Sequence, residues 1–162
     1  VGVFKVGTDF IINGPAVVKV KDPNSAVGGD FEAYVTVGEL GKGGAKFKAT
    51  PEKIETKLES GRKVVRISSY DAELAFELPN THSDNFAVLD TLSNIDVDVM
   101  VEQAVKGFDL TPRTFEFTNC ALIPEIDTVI ANSESAKIPC KVEKSGLTLA
   151  DIVTVVDPTA TP

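Results

Sequence analysis

The chain has 162 residues, 43% of them hydrophobic and 25% charged, the composition of an ordinary globular domain with enough apolar material for one core. A net charge of −8, from 24 acidic and 16 basic residues, is the wrong sign for gripping nucleic acid by phosphate neutralisation, but is compatible with a protein past which nucleic acid slides. No apolar run approaches the roughly 20 residues that cross a bilayer, and the opening Val1-Gly2-Val3-Phe4-Lys5 lacks the order of a signal peptide, so we expect use without secretion or membrane insertion.

After a segment Val1 to Gly14 expected to be flexible, Ala16-Val17-Val18-Lys19-Val20-Lys21 reads as a β-branched strand that Asp22-Pro23-Asn24-Ser25 ends with turn residues. The run Phe31 to Val37 resumes strand composition. Gly38-Glu39-Leu40-Gly41-Lys42-Gly43-Gly44 then reads as a loop, because its glycines accept positive φ at several places.

Lys53 to Glu59 alternates, with Ile54, Thr56 and Leu58 on one face and Lys53, Glu55, Lys57 and Glu59 on the other, which predicts a half-buried strand with a solvated charged face. Ser60-Gly61-Arg62-Lys63 turns the chain into Val64 to Tyr70, and Asp71 leads into a further strand, Ala72 to Leu78. Leu74, Phe76 and Leu78 alternate there with Glu73, Ala75 and Glu77.

Residues Thr81 to Asn94 form the one convincing helix. Phe86, Leu89 and Leu92 recur at three-residue spacing with Val88 adjoining, and Ser83 or Asp84 can cap the first turn. Ile95 to Glu102 alternates most cleanly, with Ile95, Val97, Val99 and Val101 opposed to Asp96, Asp98, Met100 and Glu102. Phe108 and Pro112 precede the strand Thr114 to Cys120, and further β segments are expected around Ala136 to Lys144 and Leu147 to Val156. Residues 157 to 162 read as a frayed tail. The sum is a mainly β single domain spanning 1–162, a sandwich or barrel of about eight to ten strands flanked by one helix.

Chemistry is sparse. His82 stands beside Ser83 and Asp84, but neighbours at a helix cap rarely have triad geometry, and no Gly-x-Ser-x-Gly elbow supplies a nucleophile. Cys120 and Cys140 are expected as buried free thiols, with one disulfide as the alternative. One histidine and no Cys-x-x-Cys argue against zinc. Asp96, Asp98 and Glu102 lack the turn glycine of a calcium loop and read as a solvated or lumen-facing acidic row, and Glu73 with Glu77 as an acidic strand face. The glycine loop matches neither dinucleotide nor Walker pattern and reads as a surface loop or one that orders against another subunit. No catalytic residue, metal or cofactor is therefore expected, and the chain is not expected to be an enzyme.

Several stretches resemble the tail tube proteins of long-tailed bacteriophages. They are Val37-Gly38-Glu39-Leu40-Gly41, the polar strand Lys46 to Lys57, and Tyr70 to Leu78 running into the helix. Thr114 to Pro124 and Ala136 to Val142 continue the likeness over roughly residues 30 to 145. The resemblance implies a β-sandwich or barrel with one helix, assembled with itself into rings, commonly hexameric, that stack into a tube for DNA delivery. It implies other tail proteins as partners, DNA passing without specific binding, synthesis in the host cytoplasm and a final place in the virion. A loop usually bridges neighbours in that family, and here Gly38 to Lys46 and the hairpin around Ser60, Gly61 and Arg62 are both candidates. Glu73, Glu77, Asp96, Asp98 and Glu102 are the expected acidic lumen set, since acidic walls repel phosphate. Alternatives are a tail terminator, head decoration or baseplate protein, or a β-sandwich that holds carbohydrate; the absence of tryptophan weakens the last.

Overall fold

The computed structural model describes residues 16–24, 29–40, 44–79, 83–105, 112–125 and 137–158. Residues 1–14, Gly41, Lys42, Gly43, His82, Phe108 and residues 159–162 lie outside them, and with them the expectations placed there. In chain order the elements are β1 Val17–Lys21, β2 Val35–Glu39, β3 Lys46–Lys57, β4 Lys63–Pro79, α1 Ser83–Ser93, β5 Asp96–Gln103, β6 Arg113–Pro124, β7 Lys137–Gly146, α2 Leu149–Ile152 and β8 Thr154–Val156.

The strands form one sheet in the order β2-β1-β5-β6-β7-β4-β3, with β8 attached to β6, and every ladder is antiparallel. Strand β6 holds β5 along one edge. Its other edge takes β8 at Thr114 to Glu116 and β7 at Ala121 to Pro124. Between those stretches the β5–β6 register slips, and Asn119 adopts a left-handed φ of 49°, the conformation asparagine tolerates best after glycine.

The alternation read from the sequence decides which face is covered. Val18, Val20, Leu74, Phe76, Leu78, Val97, Val99, Val101, Leu122 and Val142 all lie in one buried cluster. Each such side chain contributes roughly 1.5–3 kcal/mol when taken out of water. The sheet curls over this face, because Phe47 of β3 comes to 5.5 Å from Phe117 of β6 although β4 and β7 stand between them. Helix α1 adds Leu89 and Leu92 to the cluster. It ends where Asn94 Nδ2 donates to the Asp90 carbonyl at 2.8 Å, satisfying a helix-end acceptor.

Three expectations change. Gly38 and Glu39 are not loop: they pair with Val18 and Val17 in β2, and Leu40 is buried while its N–H donates to the Ala16 carbonyl at 2.7 Å. The apolar Leu40 side chain fills the core and draws its neighbours into the sheet. Second, Val64 to Tyr70 and Ala72 to Leu78 are one strand of 17 residues, because Asp71 pairs with both Thr50 and Ser145 instead of breaking the run. Third, Leu147 to Val156 is not a continuous β segment. Thr148 and Asp151 form a reciprocal capping box that starts the single turn α2, and only Thr154 to Val156 is strand.

Candidate functional site

The β3–β4 hairpin is longer than the sheet that supports it. Strand β7 accompanies β4 only from Tyr70 onward, so residues 53–67 project as a two-stranded arm. Its turn is tight: Gly61 N–H donates to the Leu58 carbonyl at 2.9 Å, Leu58 N–H to the Arg62 carbonyl at 2.8 Å, and Gly61 sits at φ 82°. Of the three candidate contact residues here, Ser60, Gly61 and Arg62, all are exposed at the tip.

Ile54 and Arg66 share one face of the arm with Thr56 and Val64. Lys53 and Ile67 share the other with Glu55 and Val65. Both faces are open: Ile54 is 55% exposed, Ile67 50%, Leu58 43% and Val65 42%. The sequence predicts a half-buried strand with Ile54, Thr56 and Leu58 on its covered face, and among the described residues that face stays largely open. The periodicity was legible; the missing cover is what the sequence does not reveal. Of the other candidate contact loop, Gly44 has a φ of 57° with open space around it, Gly38 and Glu39 belong to β2, and Leu40 is buried just after it.

The five acids expected on a lumen do share one face. The ladder Asp96–Ala121–Glu143–Glu73 crosses β5, β6, β7 and β4 on the side away from the core, with Glu77 four residues along β4. That face is not a bare acidic row, because strand pairing interleaves lysines. Lys19 Nζ lies 3.0 Å from Glu102, Lys21 Nζ 3.6 Å from Asp98, and Lys141 Nζ 3.8 Å from Glu73 and 3.3 Å from Glu125. The hydrogen bond that Lys141 donates to Glu125 and the Glu125 charge, then the Glu73 charge, raise Lys141 above the ordinary lysine range.

Asp98 departs furthest from expectation, being only 6% exposed. One oxygen accepts the Asn119 N–H at 3.0 Å and the other faces Lys21, so its charge serves the β5–β6 bulge. Lys21 also stacks over Tyr34 at 5.0 Å, and burial, followed by Glu116 and Asp98, pushes the Tyr34 phenol well above its usual value.

Two open clefts complete the surface. One of about 290 Å³ is walled by Lys48, Asp71, Glu73, Glu143, Lys144 and Ser145, where Ser145 Oγ donates to Asp71 at 2.7 Å and Lys144 Nζ to the Thr118 carbonyl. The other, about 380 Å³, lies between Asp22, Asp30 and Phe31 and the α1 side chains Val88, Thr91 and Leu92. Among the described residues no three His, Cys, Asp or Glu side chains gather as a metal site, and no helix is long and apolar enough to cross a membrane. Cys120 and Cys140 are buried free thiols.

A second exposed apolar surface, absent from the sequence reading, surrounds α2 and β8. Leu147 is 73% exposed, and Leu149, Val155 and Val156 are exposed beside it. A Leu-x-Leu pair outside a strand was the available signal.

No family model and no curated protein matches the chain. Among solved structures, a chain in the cryo-EM structure of the anti-feeding prophage (AFP) baseplate, 6-fold symmetrised, is similar in fold. Its TM-score is 0.57 at 10% identity, covering 88% of this chain and 100% of that one. The mainly β architecture with a flanking helix is thus one already seen in that assembly.

Proposed function

We propose that this protein is a structural component of a phage-tail-like particle, and that it assembles with copies of itself into stacked rings forming the tail tube through which DNA is delivered. The observation that carries the reading is the projecting β3–β4 arm, which exposes large apolar side chains on both faces. A lone two-stranded hairpin is marginal in water, and Ile54, Leu58, Val65 and Ile67, exposed among the described residues, would gain from cover by another chain. The edge strands β2 and β3 present further unpaired backbone that ring closure would satisfy. Fold likeness to a chain in a 6-fold symmetrised assembly supports a ring.

In this reading the role is structural rather than catalytic, the protein is made in the host cytoplasm, and it ends in the virion beside other tail proteins. Half-buried Glu73, with Lys141 beside it, and exposed Glu77 and Asp96 line the passage, and lysines engage Asp98 and Glu102 on the same face. The solved neighbour belongs to a baseplate, which favours a baseplate component as the second reading.

Shortening the arm tests the proposal. Replacing residues 54–66 by a two-residue turn should leave a folded monomer and abolish concentration-dependent sedimentation of higher oligomers. If the shortened chain assembles as the intact one does, the arm is not the assembly element.

A further inference from the structure

The arm carries one charge sign and the α2–β8 corner the other. Residues 53–67 hold Lys53, Lys57, Arg62, Lys63 and Arg66 against Glu55 and Glu59, all exposed, on a chain whose net charge is −8. Around α2 and β8 the balance reverses. Asp151 and Asp157 are exposed, Glu116 pairs with Thr154 from β6, and Arg113 lies 3.4 Å from Asp157. Both surfaces also expose large apolar side chains, Ile54, Leu58, Val65 and Ile67 on the arm and Leu147, Leu149, Val155 and Val156 at the corner.

We infer that the basic, apolar arm of one copy seats on the acidic, apolar α2–β8 corner of the next. The inference rests on the self-assembly reading and adds the acceptor surface. Neither patch matches itself: two arms repel, and so do two corners, whereas arm and corner attract across an interface whose apolar centre is rimmed by opposite charges. Joining two different patches head to tail leaves one of each unfilled on every pair, so the contact propagates until a ring closes. Isologous pairing through like patches is disfavoured by the same charges.

The short helix fits an acceptor that must hold its shape. Asp151 fixes α2 through the capping box, with Thr148 N–H donating to it at 3.1 Å. Ile152 is buried at 1% exposure while Leu149 remains 47% exposed. An isolated arm, by contrast, can adjust as it docks.

Cysteine pairing tests this directly on the full chain. The double variant Leu58→Cys with Val156→Cys, oxidised at a concentration where the protein assembles, should give a covalent ladder of trimers and larger species on a denaturing gel. Each single variant should give none above dimer, and a mixture of the two singles should give the mixed dimer. Raising the salt from 50 mM to 1 M should cut the ladder yield several-fold. If rings are visible by electron microscopy but the double variant gives no ladder, or stops at dimers, the head-to-tail pairing is overturned while self-assembly stands. If the intact chain stays monomeric at every concentration, the pairing and the assembly reading both fall.

Discussion

The Asp98 carboxylate accepts the backbone N–H of Asn119 at 3.0 Å, bridging the bulge at which β6 changes its neighbour from β8 to β7. The bulge leaves that N–H outside the β5–β6 ladder, and the side chain supplies the acceptor. Asp98→Ala should cost about 1–3 kcal/mol in urea unfolding, because a part-buried donor loses its partner and Lys21 its counter-charge. Asp98→Asn, which keeps an acceptor, should cost less. A loss below about 0.5 kcal/mol for the alanine variant would show that water replaces the carboxylate there.

Burial pushes the Cys120 thiol up to about 12 and Cys140 up to about 11, from an ordinary 9.0. The unfolded chain ionises these groups near pH 9 while the folded chain keeps them protonated. This share of stability is therefore whole below pH 9 and declines as pH rises toward the folded values. Cys120→Ala should flatten the fall between pH 8 and pH 10 by about 1 kcal/mol. Equal slopes in both proteins sink the linkage. At pH 8 neither thiol should react with an alkylating reagent until the protein is unfolded.

Two glycines have different reasons and should respond differently. At Gly61 a Cβ meets nothing within 4 Å, but φ 82° is strained for any L residue, by roughly 1–2 kcal/mol. Gly61→Ala should make the arm tip more protease-sensitive while moving the urea midpoint little. At Gly146 the backbone is ordinary and space is short, since a Cβ would stand 3.0 Å from Ile152 Cγ1 and 3.1 Å from Asp151 Cβ. Gly146→Ala should lower global stability by about 1–3 kcal/mol by displacing α2. The reverse pattern would mean that the arm and not α2 is coupled to the core.

Neutralising Glu73, Glu77 and Asp96 together, as Gln, Gln and Asn, should leave assembly intact and slow DNA ejection from reconstituted particles, because less charge repels phosphate. Failure to assemble moves these acids from the passage to a subunit interface.

Much of the fold was readable because the core is written in period two. Leu74, Phe76 and Leu78 and Val97, Val99 and Val101 alternate where the structure buries them, and the α1 positions Leu89 and Leu92 do so at helical spacing. Leu40 was missed because glycines surround it, and local glycine content outweighs one apolar side chain in any reading of loops. The α2 turn is hard to read because its capping box, Thr148 with Asp151, runs directly into the β-branched run Ile152 to Val156. The arm is the instructive case. Ile54, Thr56 and Leu58 have the period of a half-buried strand, yet Ile54 and Leu58 stand exposed, and alternation in sequence does not say what covers a face. The lumen set was read as bare acid because Lys19, Lys21 and Lys141 come from strands distant in sequence, and only register brings them together.

Self-assembly through the projecting arm is the central claim, and electron microscopy of the purified intact chain at millimolar concentration tests it most directly. Stacked rings or tubes of uniform diameter are the expected result. Particles of single-chain size at every concentration and salt contradict it.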